Sequence, residues 1–317
     1  MSVARHAAAR HAAARDAAAR DAAARAPAPS APEPAIADLH THTTRSDGVL
    51  EPAELIRQVA AAAVRWLAIT DHDTLAAYRE LTAPGAPPLP PAFELVAGVE
   101  INAVTRGLDL PEGELHVLGF GLDPGDEAFE AALSAQRAAR RTRFDETLRR
   151  LRELGLPVDA QVATVDRARD DSLGRPTLAR ALVAAGHVAS VEEAFEQLLG
   201  WGRPGYVPRA GMGPIEAIRA IRAAGGLPVL AHFAAAADRR DLLRELVAAG
   251  LAGLESHHRS FDDLVRVSVS GVARELRLLE TGGTDYHGDL GPYAGSHAEL
   301  VFPADLAARA AAAIGGR

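Results

Sequence analysis

The chain has 317 residues, with 42 acidic and 34 basic side chains, a net charge of −8 and 48% apolar residues, many of them alanine. It contains no cysteine, and every basic residue is arginine. That composition excludes disulfide frameworks, thiolate nucleophiles, cysteine zinc sites, iron–sulfur clusters, and Schiff-base, P-loop or general-base lysines, so any metal must be held by His, Asp and Glu.

Residues 1 to about 35 repeat His-Ala-Ala-Ala-Arg and Asp-Ala-Ala-Ala-Arg with a period of five, then run into Ala-Pro-Ala-Pro-Ser-Ala-Pro-Glu-Pro. A five-residue period favours helix but keeps no apolar face, and the proline run is a linker. A solvated, partly helical tail is expected, with His6 and His11 idle. From residue 36 onward, apolar runs ending in polar residues recur at 36–39, 66–70, 94–99, 115–120, 227–231, 250–254 and 276–280. Helical patterns lie between several of them, at 52–64, 214–224, 239–249 and 261–275. Gly225-Gly226 and Gly250 stand where two of these helices should end. The alternation predicts a parallel sheet or βα barrel. From about Asp123 to Pro208 the rhythm breaks into helices only: a charge-laced 126–154, then 176–185 opened by Pro176, then 191–199 opened by the capping box Ser190-Val-Glu-Glu193. The domain reading is a tail over 1–35, a first barrel part over 36–122, a helical insertion over 123–208 and a second barrel part over 209–317.

The histidines gather at the strand ends. His40 and His42 close the first strand two residues apart, so their rings point the same way. Asp47 lies in the following turn, His72 follows the second strand, Glu100 ends the third and His116 lies in the fourth. His232 ends the strand after the insertion, and Asp285 and His287 follow the last. A lone histidine after a strand is ordinarily a polar loop residue. In a βα barrel, however, all strand C-termini meet at one face, so these nine converge whatever their separation in the chain. Nine candidate ligands are too many for one ion and fit two or three divalent cations sharing carboxylates. Imidazole and carboxylate without sulfur suit Mn²⁺, Fe²⁺ or Zn²⁺ and do not choose among them.

The chain resembles the polymerase and histidinol phosphatase (PHP) family of metal-dependent phosphoesterases. The matching residues are Asp38-Leu-His-Thr-His42, Ser46-Asp-Gly48, Ile69-Thr-Asp-His-Asp-Thr74, Gly98-Val-Glu100, His116, Ala231-His232 and Asp285-Tyr-His287. The resemblance covers about residues 36–317. It implies an α/β fold, a distorted (β/α)₇ barrel with an inserted helical subdomain, and a trinuclear site, with manganese first and iron or zinc next. Ile-Thr-Asp-His-Asp-Thr and the insertion carrying Gly174-Arg-Pro-Thr177 look like the subgroup of nucleoside 3′,5′-bisphosphate phosphatases and 5′–3′ exoribonucleases. Phe233 departs from the family pattern, which has proline after Ala-His.

Such ions would neutralise phosphoester oxygens and lower the pKa of a bound water towards ~7, so that hydroxide attacks phosphorus and no protein nucleophile is needed. Asp71 and Asp73 flank His72 and are expected to orient ligands from behind. His257 is preferred over His258 as a phosphate donor or supporting group. Substrate phosphate is expected to meet Arg175 at a helix N-terminus, with Arg180, Arg203 and Arg209 as weaker candidates. Trp201 and Tyr206 are candidate stacking rings, although such residues more often pack in a core or hinge. His187 and His297 read as structural. The expected partner is a small phosphorylated nucleotide or short single-stranded RNA. Duplex is excluded by the missing basic stripe. Membrane contact is excluded because the longest apolar runs fall far short of the ~20 residues of a spanning helix. With no signal-peptide core at the first residues, a cytoplasmic location is expected. A phosphatase of another small monoester such as histidinol phosphate, or a non-catalytic metal-binding module, are the alternatives. The insertion argues against the first and the filled ligand positions against the second. No motif speaks to oligomeric state.

Overall fold

The computed structural model describes residues 35–105, 114–163 and 173–315. The expected tail lies outside them except for Ala35, which is buried. In chain order the elements are β1 (Ala37–Thr41), α1 (Pro52–Ala61), β2 (Trp66–Ile69), α2 (Ala76–Thr82), β3 (Glu94–Val104), β4 (Glu114–Phe120), α3 (Glu127–Glu153), α4 (Asp159–Val162), α5 (Arg175–Ala184) and α6 (Val191–Ala194), which runs into a π turn at Phe195–Leu199. Then come α7 (Pro214–Ala223), β5 (Leu227–Leu230), a 3₁₀ turn at Ala234–Ala237, α8 (Arg240–Ala249), β6 (Gly253–His258), α9 (Asp263–Glu275), β7 (Leu279–Gly283), α10 (Tyr293–Ala298) and α11 (Ala304–Gly315). No helix among the described residues is long and apolar enough to cross a membrane.

The seven strands form one sheet in sequence order. It curls until its last strand meets its first. The Asp285 N–H donates to the His40 carbonyl at 2.7 Å and the His42 N–H to the Tyr286 carbonyl at 3.0 Å. This approach needs glycine: a Cβ at Gly283 would strike the Cβ and backbone nitrogen of His40. The result is a nearly closed seven-stranded barrel.

β4 corrects the expectation of an all-parallel sheet, because it runs antiparallel to both β3 and β5. The link from Val104 to Glu114 is shorter than the dozen or so residues a parallel crossover requires, so the chain can only turn back. His116 therefore sits near the start of its strand rather than the end. It still reaches the same mouth, since its register partner on β3 is Asn102, two residues beyond Glu100. The sixth and seventh strands also begin about three residues later than their apolar runs suggest. Leu251 and Leu278 do not enter a strand. Their N–H groups close the ends of α8 and α9 on the carbonyls of Leu246 and Ala273, and both side chains are buried there.

The barrel core joins Val99, Ile101 and Val117 to Ala217, Ile218 and Ile221 of α7. A second cluster packs α11 against β1 and β5. Helix α3, capped by Asp126 accepting from the Phe129 N–H, spans two environments. Its first turns place Phe129 and Leu133 in the barrel core, and its later turns carry Phe144, Leu148 and Leu151 into a separate core shared with α4, α5 and α6. Each of these fully buried apolar side chains contributes about 1.5–3 kcal/mol. That anchoring holds the inserted helices beside the barrel mouth.

Candidate metal centre

The mouth is built from strand ends and the tight turns after them. Among the described residues, three of the six non-glycine residues with positive φ lie here: Asp73 at 53°, His232 at 31° and Asp285 at 49°. Backbone held in sparsely populated regions clusters where a fold must aim side chains. The turn after β1 folds back so closely that a Cβ at Gly48 would meet the His42 carbonyl. Asp71 holds that turn, accepting the Thr43 N–H at 2.7 Å, the Thr43 hydroxyl at 2.7 Å and the Ser46 hydroxyl at 2.7 Å. Asp38 ties β1 to the end of β7, accepting from Thr284 N–H at 2.9 Å, the Thr284 hydroxyl at 2.6 Å and the Tyr293 hydroxyl at 2.8 Å.

All nine candidate ligands come together. They make three groups whose donor atoms lie within 4.8 Å of one another: His42, Asp47, His72 and His287; His40, His42, Glu100 and Asp285; and Glu100, His116 and His232. Glu100 is the hinge of the set. Its Oε2 has His72 Nδ1 at 3.1 Å, His42 Nε2 at 3.2 Å and His40 Nε2 at 3.3 Å. Its Oε1 has His116 Nδ1 at 2.7 Å and His232 Nε2 at 3.4 Å. Yet Glu100 Oε2, His40 Nε2, His42 Nε2 and His72 Nδ1 are all buried without a hydrogen-bond partner. Buried polar atoms are ordinarily satisfied. Four orphaned lone-pair donors crowded together fit a divalent cation, which would take all of them at once.

The electrostatics agree. Burial alone would raise the Glu100 carboxyl, but His116, His40 and His72 hold it well below the usual range. Asp47 and Asp285 are likewise depressed against their burial, by His72 and by His40 respectively. Burial would lower His42, yet Asp285, Glu100 and Asp47 push it up to about 10. His40 is also held well above its ordinary range by Glu255, Glu100 and Asp285, against its burial. Without a cation, protons must balance these carboxylates; metal binding would release them.

Glu255, which sequence reasoning missed, and His258, which it set below His257, complete the centre. Glu255 is fully buried, with Oε1 3.0 Å from His40 Nδ1 and Oε2 accepting the His232 N–H at 2.7 Å. It leaves His40 Nε2 facing Glu100 and Asp285. His258 Nε2 lies 3.5 Å from Asp285 Oδ2. The expectation for His257 is corrected: its ring packs 5.5 Å from Phe302 and its Nδ1 pairs with the Ser256 hydroxyl at 2.9 Å. A bulge between Glu255 and His257 consumes one residue of β6 and turns His258, not His257, inward. Phe233, in place of a proline, packs against the barrel core. His187 and His297 hold the backbone carbonyls of Pro157 and Ala35.

A cavity of about 240 Å³ adjoins the mouth. Asp47, His72 and His116 line it on the barrel side, and Gln136, Arg140, Arg143, Gly174 and Arg209 on the side of the inserted helices. Arg140 reaches Asp73 Oδ2 at 2.5 Å, and Arg143 donates to the Val207 carbonyl at 2.8 Å. Of the expected arginines, Arg209 lines this cavity. Arg175 does not: its guanidinium stands 5.5 Å from the Phe195 ring centroid and 5.8 Å from that of Tyr206. Aromatic faces of the inserted core capture it, while its neighbours Gly174 and Pro176 face the cavity. Arg180 is exposed beside Thr177, and Arg203 is exposed. Trp201 is 72% exposed and tilts against Tyr206.

Clustered imidazoles and carboxylates beside a guanidinium-lined cavity define, on this barrel, a metal-dependent phosphoesterase. Comparison with known proteins gives the family. The PHP domain model matches residues 38–161. The 5′-3′ exoribonuclease Rnm of Salmonella typhimurium is 31% identical over 264 residues, 80% of this chain and 85% of the relative. The 3′,5′-nucleoside bisphosphate phosphatase of Chromobacterium violaceum is 32% identical over 263 residues, 79% of this chain and 86% of the relative. A solved protein from Bifidobacterium adolescentis superposes with a TM-score of 0.66 at 31% identity, covering 90% of this chain and all of that one. The chain belongs to the PHP family.

Proposed function

We propose that the mouth binds two or three divalent cations, Mn²⁺ foremost with Fe²⁺ or Zn²⁺ as substitutes, through His40, His42, Asp47, His72, Glu100, His116, His232, Asp285 and His287. We further propose that the protein hydrolyses phosphate esters of nucleoside 3′,5′-bisphosphates and short 5′-phosphorylated oligoribonucleotides. The observation that carries this reading is the juxtaposition of the orphaned donors around Glu100 with a cavity lined by Arg140, Arg143 and Arg209. Bound ions would supply Lewis acidity to the ester and acidify water. The protein's own groups do the rest. Glu255 and Asp71 hold the ligand-bearing turns, so the imidazoles need no rearrangement on loading. Arg140, Arg143 and Arg209 bind anionic oxygens away from the reacting one, and Gly174 at the start of α5 lines the same space. The wall made by the inserted helices narrows the approach, which suits mononucleotides and flexible single strands better than duplex.

The test is phosphate release by the Mn²⁺-loaded protein from adenosine 3′,5′-bisphosphate, a short 5′-phosphorylated RNA and histidinol phosphate. Turnover of either nucleotide substrate well above histidinol phosphate is expected. Turnover of histidinol phosphate alone would sink the reading.

A further inference from the structure

Gln136, Arg140 and Arg143 stand at i, i+4 and i+7 of α3, so they share one helix face, and all three line the cavity. Arg209 reaches the same cavity from the segment by which the chain returns from the insert to the barrel. Helix α3 grips that segment on both sides of Arg209. Upstream, Arg143 Nε donates to the Val207 carbonyl at 2.8 Å. Downstream, Gln136 Oε1 accepts the Met212 N–H at 2.8 Å, while Gln136 Nε2 donates to the Asn102 carbonyl of β3 at 3.4 Å. The Met212 carbonyl in turn accepts the Val104 N–H at 2.8 Å. One carboxamide, 6% exposed, thus ties the outgoing helix, the returning segment and the barrel sheet together at the neck of the insert. Gly211 lets them meet: its φ is 145°, and a Cβ there would strike Gln136 Oε1.

An amide can make this tie because it offers a donor and an acceptor at once. An apolar side chain of the same size would release Met212 from α3. Guanidinium groups hold an anion well when their spacing is set before the anion arrives, since otherwise binding must order them. We propose that Gln136, seated against Gly211, is a positioning residue: it sets Arg209 against Arg140 and Arg143 and so fixes the spacing of the clamp on the phosphate that is not being cleaved. The proposal rests on the reading of these arginines given above and adds the residue that spaces them.

The experiment measures kcat and KM of the Mn²⁺-loaded full-length protein on adenosine 3′,5′-bisphosphate and on p-nitrophenyl phosphate, whose single phosphate leaves the clamp empty. Bound Mn²⁺ is counted by elemental analysis. Gln136→Met keeps the volume and removes the hydrogen bonds. It should raise KM for the bisphosphate by about fivefold, the size of a lost hydrogen bond, with kcat within about twofold. KM for p-nitrophenyl phosphate and the metal content should stay at wild-type values. Gly211→Ala leaves Gln136 in the chain but pushes its carboxamide off Met212, and should give the same pattern. Combined with Arg209→Ala, Gln136→Met should add nothing further, because it acts through Arg209. Equal losses on both substrates, a fall in metal content, or effects that simply add would show a merely structural contact and overturn the proposal, with the arginine clamp still standing. If Arg209→Ala itself leaves the bisphosphate KM unchanged, the clamp reading fails and the positioning role fails with it. If the wild-type protein cleaves p-nitrophenyl phosphate but not the bisphosphate, the nucleotide reading falls and takes this proposal with it.

Discussion

At the barrel mouth Asp38, His40, His42, Glu100 and Glu255 are all at most 1% exposed although every one is polar. The inserted helices bury Phe144, Leu148, Leu151, Leu178 and Leu182 and carry Arg149, Glu146 and Glu153 on their outer face. The insert follows the ordinary rule, with apolar groups inside and charged groups in water. The mouth inverts it, and the inversion is held by the barrel around it. Charged groups kept this close cannot all be satisfied by one another, so the region is arranged for a ligand rather than for stability.

The largest effect should come from the hinge of the mouth. Glu100→Gln keeps the shape but removes the charge shared by three imidazoles through Oε2. Metal content by elemental analysis and kcat/KM should fall together, the latter by about a thousandfold, corresponding to several kcal/mol of charge stabilisation at about 1.4 kcal/mol per factor of ten. Full metal content with near-normal activity would show that Glu100 is not shared between ion sites.

The insert should respond in the opposite currency. Leu148→Ala opens a cavity in a core separate from the barrel and should destabilise by about 3 kcal/mol, read by denaturant unfolding. Metal content of the folded protein should stay at the wild-type value. A parallel loss of metal would mean that the two regions are not separable.

Arg140 stands where they meet, with its helix in the insert and its guanidinium on Asp73. Arg140→Ala should raise KM for a bisphosphate by about tenfold with a smaller change in kcat, because a remote clamp contributes binding more than chemistry. A fall in kcat alone would place Arg140 in the chemical step.

The smallest effect is a pH slope in the metal-free protein. His42 is raised from an ordinary 6.5 to about 10. Its proton therefore stabilises the folded state fully below pH 6.5, and that stabilisation is lost as the pH rises through about 10. Glu100, Asp47 and Asp285 are depressed, so their contribution is present above their ordinary range and lost as the pH falls through their lowered values. Thermal melts in chelator should fall off on both sides, and Mn²⁺ should flatten the alkaline side because it replaces the protons. A chelated protein whose melting temperature is flat from pH 6.5 to 10 would contradict this balance.

How much of this could be read from the chain alone follows from where each residue sits. His40, His42, His72, Glu100, His232, Asp285 and His287 were legible because they end strands or follow them, and a barrel gathers strand ends whatever their separation in sequence. The helical character between β4 and β5 was legible too, from caps such as Ser190 and from Pro176. Arg140 and Arg143 were not, because their role depends on the direction α3 takes from the barrel, which no local pattern encodes. The same holds for Glu255 and His258, whose facing is set by the bulge in β6, and for Arg175, whose guanidinium is drawn to Phe195 and Tyr206 by the packing of the insert. Local chain chemistry determined which residue types stand at the ends of elements. Which way those side chains face, and which acceptors remain unpaired beside them, was decided by register, strand direction and packing, because these arise from contacts between segments far apart in the chain.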